Sequence, residues 1–205
     1  MEFFRRAEGR PSRLAVLPGT FNPITVAHLE LARAALPLVD EVVFVLPRIL
    51  PHKEYEGASF DQRLVMLEAA AGGHPRFSIA AADHGLFVEI AQECRDAYTF
   101  DVWLTFLCGR DAAERIAGWD YGRPGVFVEM LRQFDLLVAA RSGEYTPPPE
   151  FRHAVRPLPL SGSFDHVSAT GIRDRIARGE RWEHLVPAAI RSFVATIYSR
   201  PGDAA

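Results

Sequence analysis

Short apolar runs alternate along the chain with segments whose apolar residues recur at helical spacing. Near-continuous apolar runs predict strands that are covered on both faces of a sheet. These runs lie near residues 13–17, 41–46, 76–80, 102–107, 134–140 and 154–158. Helical spacing is found near residues 26–36, 60–71, 86–97, 110–119, 125–133, 168–178 and 187–199. Strands that alternate with helices predict an α/β fold: a doubly wound parallel sheet of five to six strands, helices on both faces and a helical C-terminal segment.

The composition is that of a soluble globular protein, with 48% apolar and 24% charged residues among 205. We expect a single domain over 1–205, with its core at about 13–160 and a helical part at about 167–199. The net charge of −3 gives no general attraction to nucleic acid or membrane, so we expect neither as a partner. Cys94 and Cys108 form no Cys-x-x-Cys pair, which favours buried, reduced thiols in a cytoplasmic protein. The oligomeric state is open, a homo-oligomer included.

The stretch from Gly19 to His28 has the pattern of a strand, a glycine turn and a helix. A glycine at position 19 permits unusual backbone angles and a close approach of ligand to the main chain. Thr25 is suited to cap the following helix, which places His28 in its first turn. A helix N-terminus with an imidazole and a hydroxyl attracts phosphate. A generic turn with a surface histidine is the competing interpretation.

A second predicted helix start, at residues 166–173, also combines a capping hydroxyl with a side chain that suits phosphate. Ser168 is a suitable N-cap, and Arg173 follows within two turns with a planar set of donors suited to phosphate. Simple capping by Ser168 with a solvated Arg173 is the alternative. Together, the two helix starts predict a clamp for a triphosphate.

Four candidate residues follow directly after predicted strands, although they are far apart in sequence. In an open α/β sheet, ligands bind beyond the carboxyl ends of the strands, near the point where the strand order reverses. We therefore expect convergence on one edge of the sheet for Gly19, Lys53, Asp111 and Arg141.

These motifs, in this order, resemble those of the nucleotidyltransferase superfamily, and most of all nicotinate or nicotinamide mononucleotide adenylyltransferases. The first resembles Gly-x-Phe-[Asp/Asn]-Pro-x-[His/Thr]-x-Gly-His, and the last resembles Ile-Ser-Ser-Thr-x-x-Arg. Between them, Pro-His-Lys and Gly-x-Asp…Trp have counterparts here. The matching residues are 19–28, 51–53, 109–119 and 168–173. The resemblance implies a Rossmann-like fold and an enzyme that joins AMP from ATP to a phosphorylated small-molecule acceptor, with release of pyrophosphate.

The resemblance also implies roles for individual residues. His28, Thr25 and Arg173 would be the catalytic residues and would stabilise charge on the phosphates. The ATP site would comprise Gly19, Thr20, Phe21, Asn22, His28, Ser168, Thr170 and Arg173. The acceptor site would comprise Lys53, Gly109, Asp111, Trp119 and Arg141, with Asp111 on a ribose hydroxyl and Trp119 stacked on the pyridine ring. Mg²⁺ would be bound through the ATP phosphates, with no protein metal site.

Three departures from the motifs leave the acceptor open. Thr25 stands where the pyridine branch usually has histidine, Ala27 replaces a glycine and Ala169 replaces a serine. Thr25 favours another acceptor or base: pantetheine phosphate, flavin mononucleotide or a CTP-dependent transfer. The two alanines favour a third hypothesis, a non-catalytic nucleotide-binding protein.

Overall fold

A computed structural model describes residues 1–50, 57–98, 101–139 and 145–199. The strands are β1 (Glu2–Arg5), β2 (Arg13–Pro18), β3 (Glu41–Pro47), β4 (Phe77–Ala82), β5 (Trp103–Gly109), β6 (Phe134–Ala139) and β7 (Val155–Pro157). The helices are α1 (Val26–Ala35), α2 (Phe60–Ala71), α3 (Phe87–Tyr98), α4 (Arg110–Ala117), α5 (Val126–Met130), α6 (Ala169–Ala177) and α7 (Arg191–Tyr198). Short 3₁₀ turns occupy Pro149–Phe151, Glu183–Leu185 and Ala188–Ile190.

The strands form one sheet in the order β1-β4-β3-β2-β5-β6-β7. The chain starts its parallel strands at the centre with β2, moves outward through β3 and β4, and then returns to add β5 beside β2. The order therefore reverses between β2 and β5, which pair in parallel from Arg13 with Trp103 to Val16 with Phe106. A crevice for a ligand is expected beyond the carboxyl ends of these two strands.

The sheet separates two apolar layers. One layer packs α1, α2, α6 and α7 against one face and includes Phe21, Phe44, Met66, Ile172 and Val194. The other packs α3, α4 and α5 against the opposite face and includes Ile90, Phe106, Met130 and Phe134. Strands β3 and β4 are buried along their whole length, which explains their continuous apolar sequence.

A buried polar cluster fixes the end of α3 at the amino-terminal edge of the sheet. Glu41 is 3% exposed and accepts hydrogen bonds from the hydroxyls of Ser78, at 2.5 Å, and Tyr98. Burial, and then the bond to Glu41, raise the pKa of Tyr98 well above its usual value. The hydroxyl of Tyr98 thus stays protonated and holds α3 against the sheet.

The predicted doubly wound α/β fold with a helical C-terminal segment is confirmed, with two corrections. The sheet has seven strands, because β1 adds to β4 as a short antiparallel edge strand whose four residues are too few and too exposed to show a strand pattern. The helix predicted over 187–199 is a 3₁₀ turn followed by α7. Cys94 and Cys108 are free and buried, and burial raises the pKa of both thiols to about 12. Across the described residues, no helix combines the length and the apolar composition needed to cross a membrane.

Candidate active site

The loop between β2 and α1 starts at Gly19, whose N–H donates to the carbonyl of Val45 at 3.0 Å. Gly19 itself does not have a positive φ; the unusual angle is at Phe21, with φ of +48°. A Cβ added at Gly19 would lie 2.8 Å from two atoms of the Phe21 ring. Glycine is thus required here because a neighbouring ring covers it, and not because of its own backbone angle.

Phe21 is a packing residue that supports His28. Its ring is 2% exposed and meets the imidazole edge-on at 5.2 Å between centroids. On another side it contacts the ring of Phe44 at 5.9 Å. We expected Phe21 in the ATP site, and its burial leaves the loop backbone as the part that can face a ligand.

Thr25 and His28 form a reciprocal cap at the start of α1. The Thr25 hydroxyl accepts from the N–H of His28 at 3.4 Å, while Nδ1 of His28 accepts from the N–H of Thr25 at 3.0 Å. A backbone N–H can only donate, so Nδ1 carries no proton and the neutral ring has its proton on Nε2. The cap therefore makes Nε2 of His28 a hydrogen-bond donor. Thr25 is 1% exposed, and the structure places its hydroxyl on His28 rather than in the open site.

Asn22 connects distant parts of the chain to this loop. Its side-chain oxygen accepts from the N–H of Ala58 at 3.2 Å and from the hydroxyl of Tyr198 in α7. The side chain is 4% exposed and packs so closely on Gly57 that a Cβ there would lie 2.5 Å from Nδ2. The Asn22–Pro23 peptide bond is cis. The side chain of Asn22, like that of Phe21, therefore stabilises the conformation of the loop.

The second predicted helix start, α6, is joined to the first by Arg173. Ser168 caps α6 by accepting from the N–H of Gly171 at 3.0 Å. Nη1 of Arg173 donates to the carbonyl of Asn22 at 2.6 Å, and Nη2 lies 3.3 Å from the hydroxyl of Thr170. The two helix starts that the sequence predicts to bind phosphate, about 150 residues apart, therefore meet at the carboxyl edge of the sheet.

Arg63 of α2 is a residue of this site that the sequence motifs do not include. It is 4% exposed, and its Nη1 donates to the carbonyl of Thr20 at 3.0 Å. Arg63 and Arg173 thus bind two carbonyls of the same loop. A signal for Arg63 was present in the sequence, since it lies three residues after Phe60 and four before Leu67, on the apolar stripe of its helix.

A pocket with aromatic walls lies on the other face of the sheet. It has a volume of about 130 Å³, close to that of an engineered cavity of about 150 Å³ that takes up benzene. The space is therefore that of one planar ring. Its walls come from the start of α3, from α4 and from the residues after it: Gly85, Leu86, Phe87, Ala112, Arg115, Ile116, Trp119 and Tyr121. Burial raises the pKa of Tyr121, whose hydroxyl donates to the carbonyl of Ile116 at 3.1 Å.

The remaining predicted acceptor residues lie near this pocket or outside the described ranges. Gly109 ends β5 and is the N-cap of α4, and Asp111 is exposed in the first turn of that helix. Both stand at the carboxyl end of the strand that neighbours β2. Lys53, with the rest of 51–53, and Arg141 lie outside the described residues.

The donors around the two helix starts suit an anion rather than a bare cation. They are the His28 ring, the hydroxyl of Thr170, the guanidinium of Arg173 and backbone N–H groups. Among the described residues, no cluster of three or more His, Cys, Asp or Glu side chains could hold a metal ion. Such a donor set fits Mg²⁺ that arrives already bound to phosphate oxygens, as Mg²⁺ usually does with nucleotides.

Fold and site together define a doubly wound α/β protein in which Arg173 joins two helix starts at the topological switch point, the place where such folds bind ligands. The chain belongs to the cytidylyltransferase-like family, whose model matches residues 16–175.

Within that family the similar proteins are nicotinate-nucleotide adenylyltransferases. A probable enzyme of this name from Treponema pallidum is 31% identical over 201 residues, covering 89% of this chain and 96% of that protein. One from Coprothermobacter proteolyticus is 28% identical, and the match covers 90% of this chain and 93% of that protein. The Plasmodium falciparum nicotinic acid mononucleotide adenylyltransferase complexed with NaAD has the same fold, with a TM-score of 0.67 at 15% identity over 90% of this chain and 95% of that one. The sequence relatives confirm the predicted enzyme class and branch.

Proposed function

We propose that this protein transfers AMP from ATP to nicotinate mononucleotide, giving a dinucleotide and pyrophosphate. The observation that carries the proposal is the junction of the two helix starts, in which Arg173 joins the start of α6 to the loop before α1. The names of the similar proteins support the acceptor. The ring-sized aromatic pocket around Trp119 supports it independently, since an indole face suits a flat pyridine ring.

The reaction proceeds by direct in-line displacement. A phosphate oxygen of the acceptor attacks the α-phosphorus of ATP, the bond from that phosphorus to the oxygen bridging it to the β-phosphate breaks, and pyrophosphate leaves. Catalysis then depends on positioning and on stabilising charge at the phosphates. Pre-oriented donors are effective for this, because they need no reorganisation as the charge develops.

His28 is the proposed donor to the α- and β-phosphates. The cap with Thr25 orients its ring and keeps the proton on Nε2. Thr25 is thus a positioning residue, and the support from Phe21 limits movement of the ring. Loss of His28 should therefore impair turnover more than ATP binding.

Arg173, with Ser168, Thr170 and the start of α6, is the proposed binding site for the β- and γ-phosphates. A guanidinium has five N–H donors, so the bond to the Asn22 carbonyl leaves donors for phosphate oxygens. Gly19 and Thr20 would contribute backbone groups of the first loop. Mg²⁺ held by the ATP phosphates would neutralise part of the charge on the departing pyrophosphate.

Acceptor binding would use the pocket on the other side of the β2–β5 crevice. Trp119 is 39% exposed, and its indole would stack on the pyridine ring. Asp111 would accept a hydrogen bond from a ribose hydroxyl, and Gly109 would allow close approach at the end of β5. Lys53 and Arg141 are the proposed phosphate contacts from the two loops outside the described residues.

Pyrophosphate release tests this function against its alternatives. The protein is incubated with Mg²⁺ and ATP or CTP, each with nicotinate mononucleotide, nicotinamide mononucleotide, pantetheine phosphate or flavin mononucleotide. Release with ATP and nicotinate mononucleotide is expected. Release with a different pair would reassign the substrate, as Thr25 in the first motif suggests, and no release with any pair would favour the non-catalytic hypothesis.

A variant of His28 separates chemistry from binding. His28→Asn is expected to abolish most turnover while ATP still binds, measured by calorimetry. His153→Ala is the matched control, because His153 is exposed and hydrogen-bonded locally to the carbonyl of Glu150. Equal activity in the two variants would refute the role of His28.

A further inference from the structure

The aromatic pocket contains a cation that none of the motifs includes. Of the described residues that line it, Arg115 alone has a charged side chain; the others are apolar, aromatic or glycine. Arg115 lies in the last turn of α4, four residues before Trp119. Residues separated by three or four positions share a helix face, so Arg115 and Ile116 face the same space as Ala112.

Arg115 has no competing partner within the described ranges. Its side chain is exposed, and it forms no hydrogen bond or ion pair with any residue that the structure describes. Asp111, one turn earlier on α4, is not within ion-pair distance. The guanidinium at the pocket is therefore available to a ligand.

Two other polar groups around the pocket are already satisfied. The hydroxyl of Tyr121 donates to the carbonyl of Ile116. The N–H of Leu86, at the start of α3, donates to a carboxylate oxygen of Glu89 at 3.1 Å. A carboxylate at this helix start offsets part of the positive end of the helix dipole, which leaves Arg115 as the principal attraction for an anionic group.

We propose that Arg115 is a specificity-determining residue, which pairs with the carboxylate on the pyridine ring of the acceptor. Nicotinate mononucleotide has this carboxylate, whereas nicotinamide mononucleotide has a neutral amide in its place. With the ring stacked on Trp119, a guanidinium favours the acid, because it forms bidentate, charge-assisted hydrogen bonds with carboxylates. This inference rests on the proposed function and adds to it the origin of acceptor choice.

The size of the effect follows from the strength of such a pair. Hydrogen bonds to a charged group alter an equilibrium or rate by roughly 10- to 100-fold. Because Arg115 is exposed, we expect an effect near the lower bound, since solvent weakens exposed ion pairs. For nicotinamide mononucleotide, which has an amide in place of the carboxylate, kcat/KM should change little when the charge of Arg115 is removed.

The experiment compares the two acceptors across matched variants. We would measure kcat/KM for nicotinate and nicotinamide mononucleotides, and KM for ATP, in the wild type, Arg115→Gln and Arg115→Lys. Arg132→Gln is the control, because it removes the same charge from an exposed position that does not line the pocket. Thermal melting would establish that each variant is folded.

Support would be a loss of about tenfold or more in kcat/KM for the nicotinate form in Arg115→Gln, with the nicotinamide form and the KM for ATP unchanged, and a smaller loss in Arg115→Lys. An equal loss with both acceptors, or no loss, would overturn the inference and leave the proposed function intact. If the wild type used neither pyridine mononucleotide, the proposed function would fail and this inference with it.

Discussion

Adding one methyl group at Gly19 tests whether the Phe21 ring explains the glycine and supports the site. In Gly19→Ala the new Cβ would lie 2.8 Å from Cε1 and Cζ of Phe21. The ring cannot withdraw into open space, because it is 2% exposed and packs against Phe44 and His28. The ring or the loop must therefore move, and His28 lies directly beside it.

The matched control is Gly109→Ala, at the start of α4. Its Cβ would meet no atom within 4 Å, and its backbone is extended, with φ of −81°. Replacing glycine by alanine restricts the unfolded chain in both variants, which stabilises a tolerant site by about 0.4–1 kcal/mol. Because that gain is common to both, the difference in stability between the two variants measures the clash, less the preference for glycine over alanine at the N-cap of α4.

We expect this difference to be about 1–3 kcal/mol, the usual cost of overpacking a core. For a protein of this size, each kcal/mol shifts the melting temperature by about 2–4 °C, so Gly19→Ala should melt about 2–12 °C below Gly109→Ala. Urea unfolding of the two variants would give the free energies directly. Gly19→Ala should also lower kcat.

A second substitution identifies the ring as the cause. Phe21→Leu removes the two ring atoms that the added methyl would strike. In a double-mutant cycle, Gly19→Ala and Phe21→Leu should therefore couple favourably, by about 0.5–3 kcal/mol. If Gly19→Ala is as stable as Gly109→Ala, or if the two changes are additive, the Phe21 ring is not the reason for glycine at this position.

Three further predictions concern groups that hold the framework of the site. Arg63→Met removes the donor to the Thr20 carbonyl and should destabilise the protein by about 1–3 kcal/mol in urea, whereas unchanged stability would contradict this role. Ser168→Ala removes the cap on Gly171 and should cost about 0.5–2 kcal/mol, most of it restored in Ser168→Thr. Backbone N–H groups at the start of β2 and a serine hydroxyl lower the pKa of Asp40. The contribution of Asp40 to folding stability is therefore present above the pKa that it has in the unfolded chain, and it is lost as the pH falls through the lower pKa of the folded state. Asp40→Asn should thus be less stable at neutral pH, and urea unfolding should show the difference shrinking below pH 3.8.

Local patterns predicted the features that depend on neighbouring residues. Apolar runs placed the parallel strands, because strands buried on both faces have few polar positions. Short polar side chains before the helices placed two caps: Thr25 and Ser168 each accept from a backbone N–H in the first turn. The strand order of the structure, which reverses between β2 and β5, then places the site at the carboxyl ends of these two strands.

Features that depend on distant residues were not predictable in this way. The amide of Asn22 looks like a ligand group in sequence, yet it binds Ala58 and Tyr198, which lie 36 and 176 positions away. Arg63 lies on the apolar stripe of its helix, but the partner that allows its burial, the carbonyl of Thr20, lies 43 positions away. In both cases a polar side chain is buried because a partner from another element satisfies it, and only the assembled fold supplies that partner.

The first loop, which leads into α1, is thus held by the three other helices on its side of the sheet. Arg63 of α2 binds Thr20, Arg173 of α6 binds the Asn22 carbonyl, and Tyr198 of α7 binds the Asn22 side chain. These bonds occupy carbonyl oxygens and a side chain, so the loop is fixed through groups that a phosphate does not need. The position of His28 is thereby fixed before any ligand binds, and donors held in position are those that stabilise developing charge most effectively. The helical C-terminal segment therefore does more than cover the sheet, since it sets the geometry of a loop formed at the start of the chain.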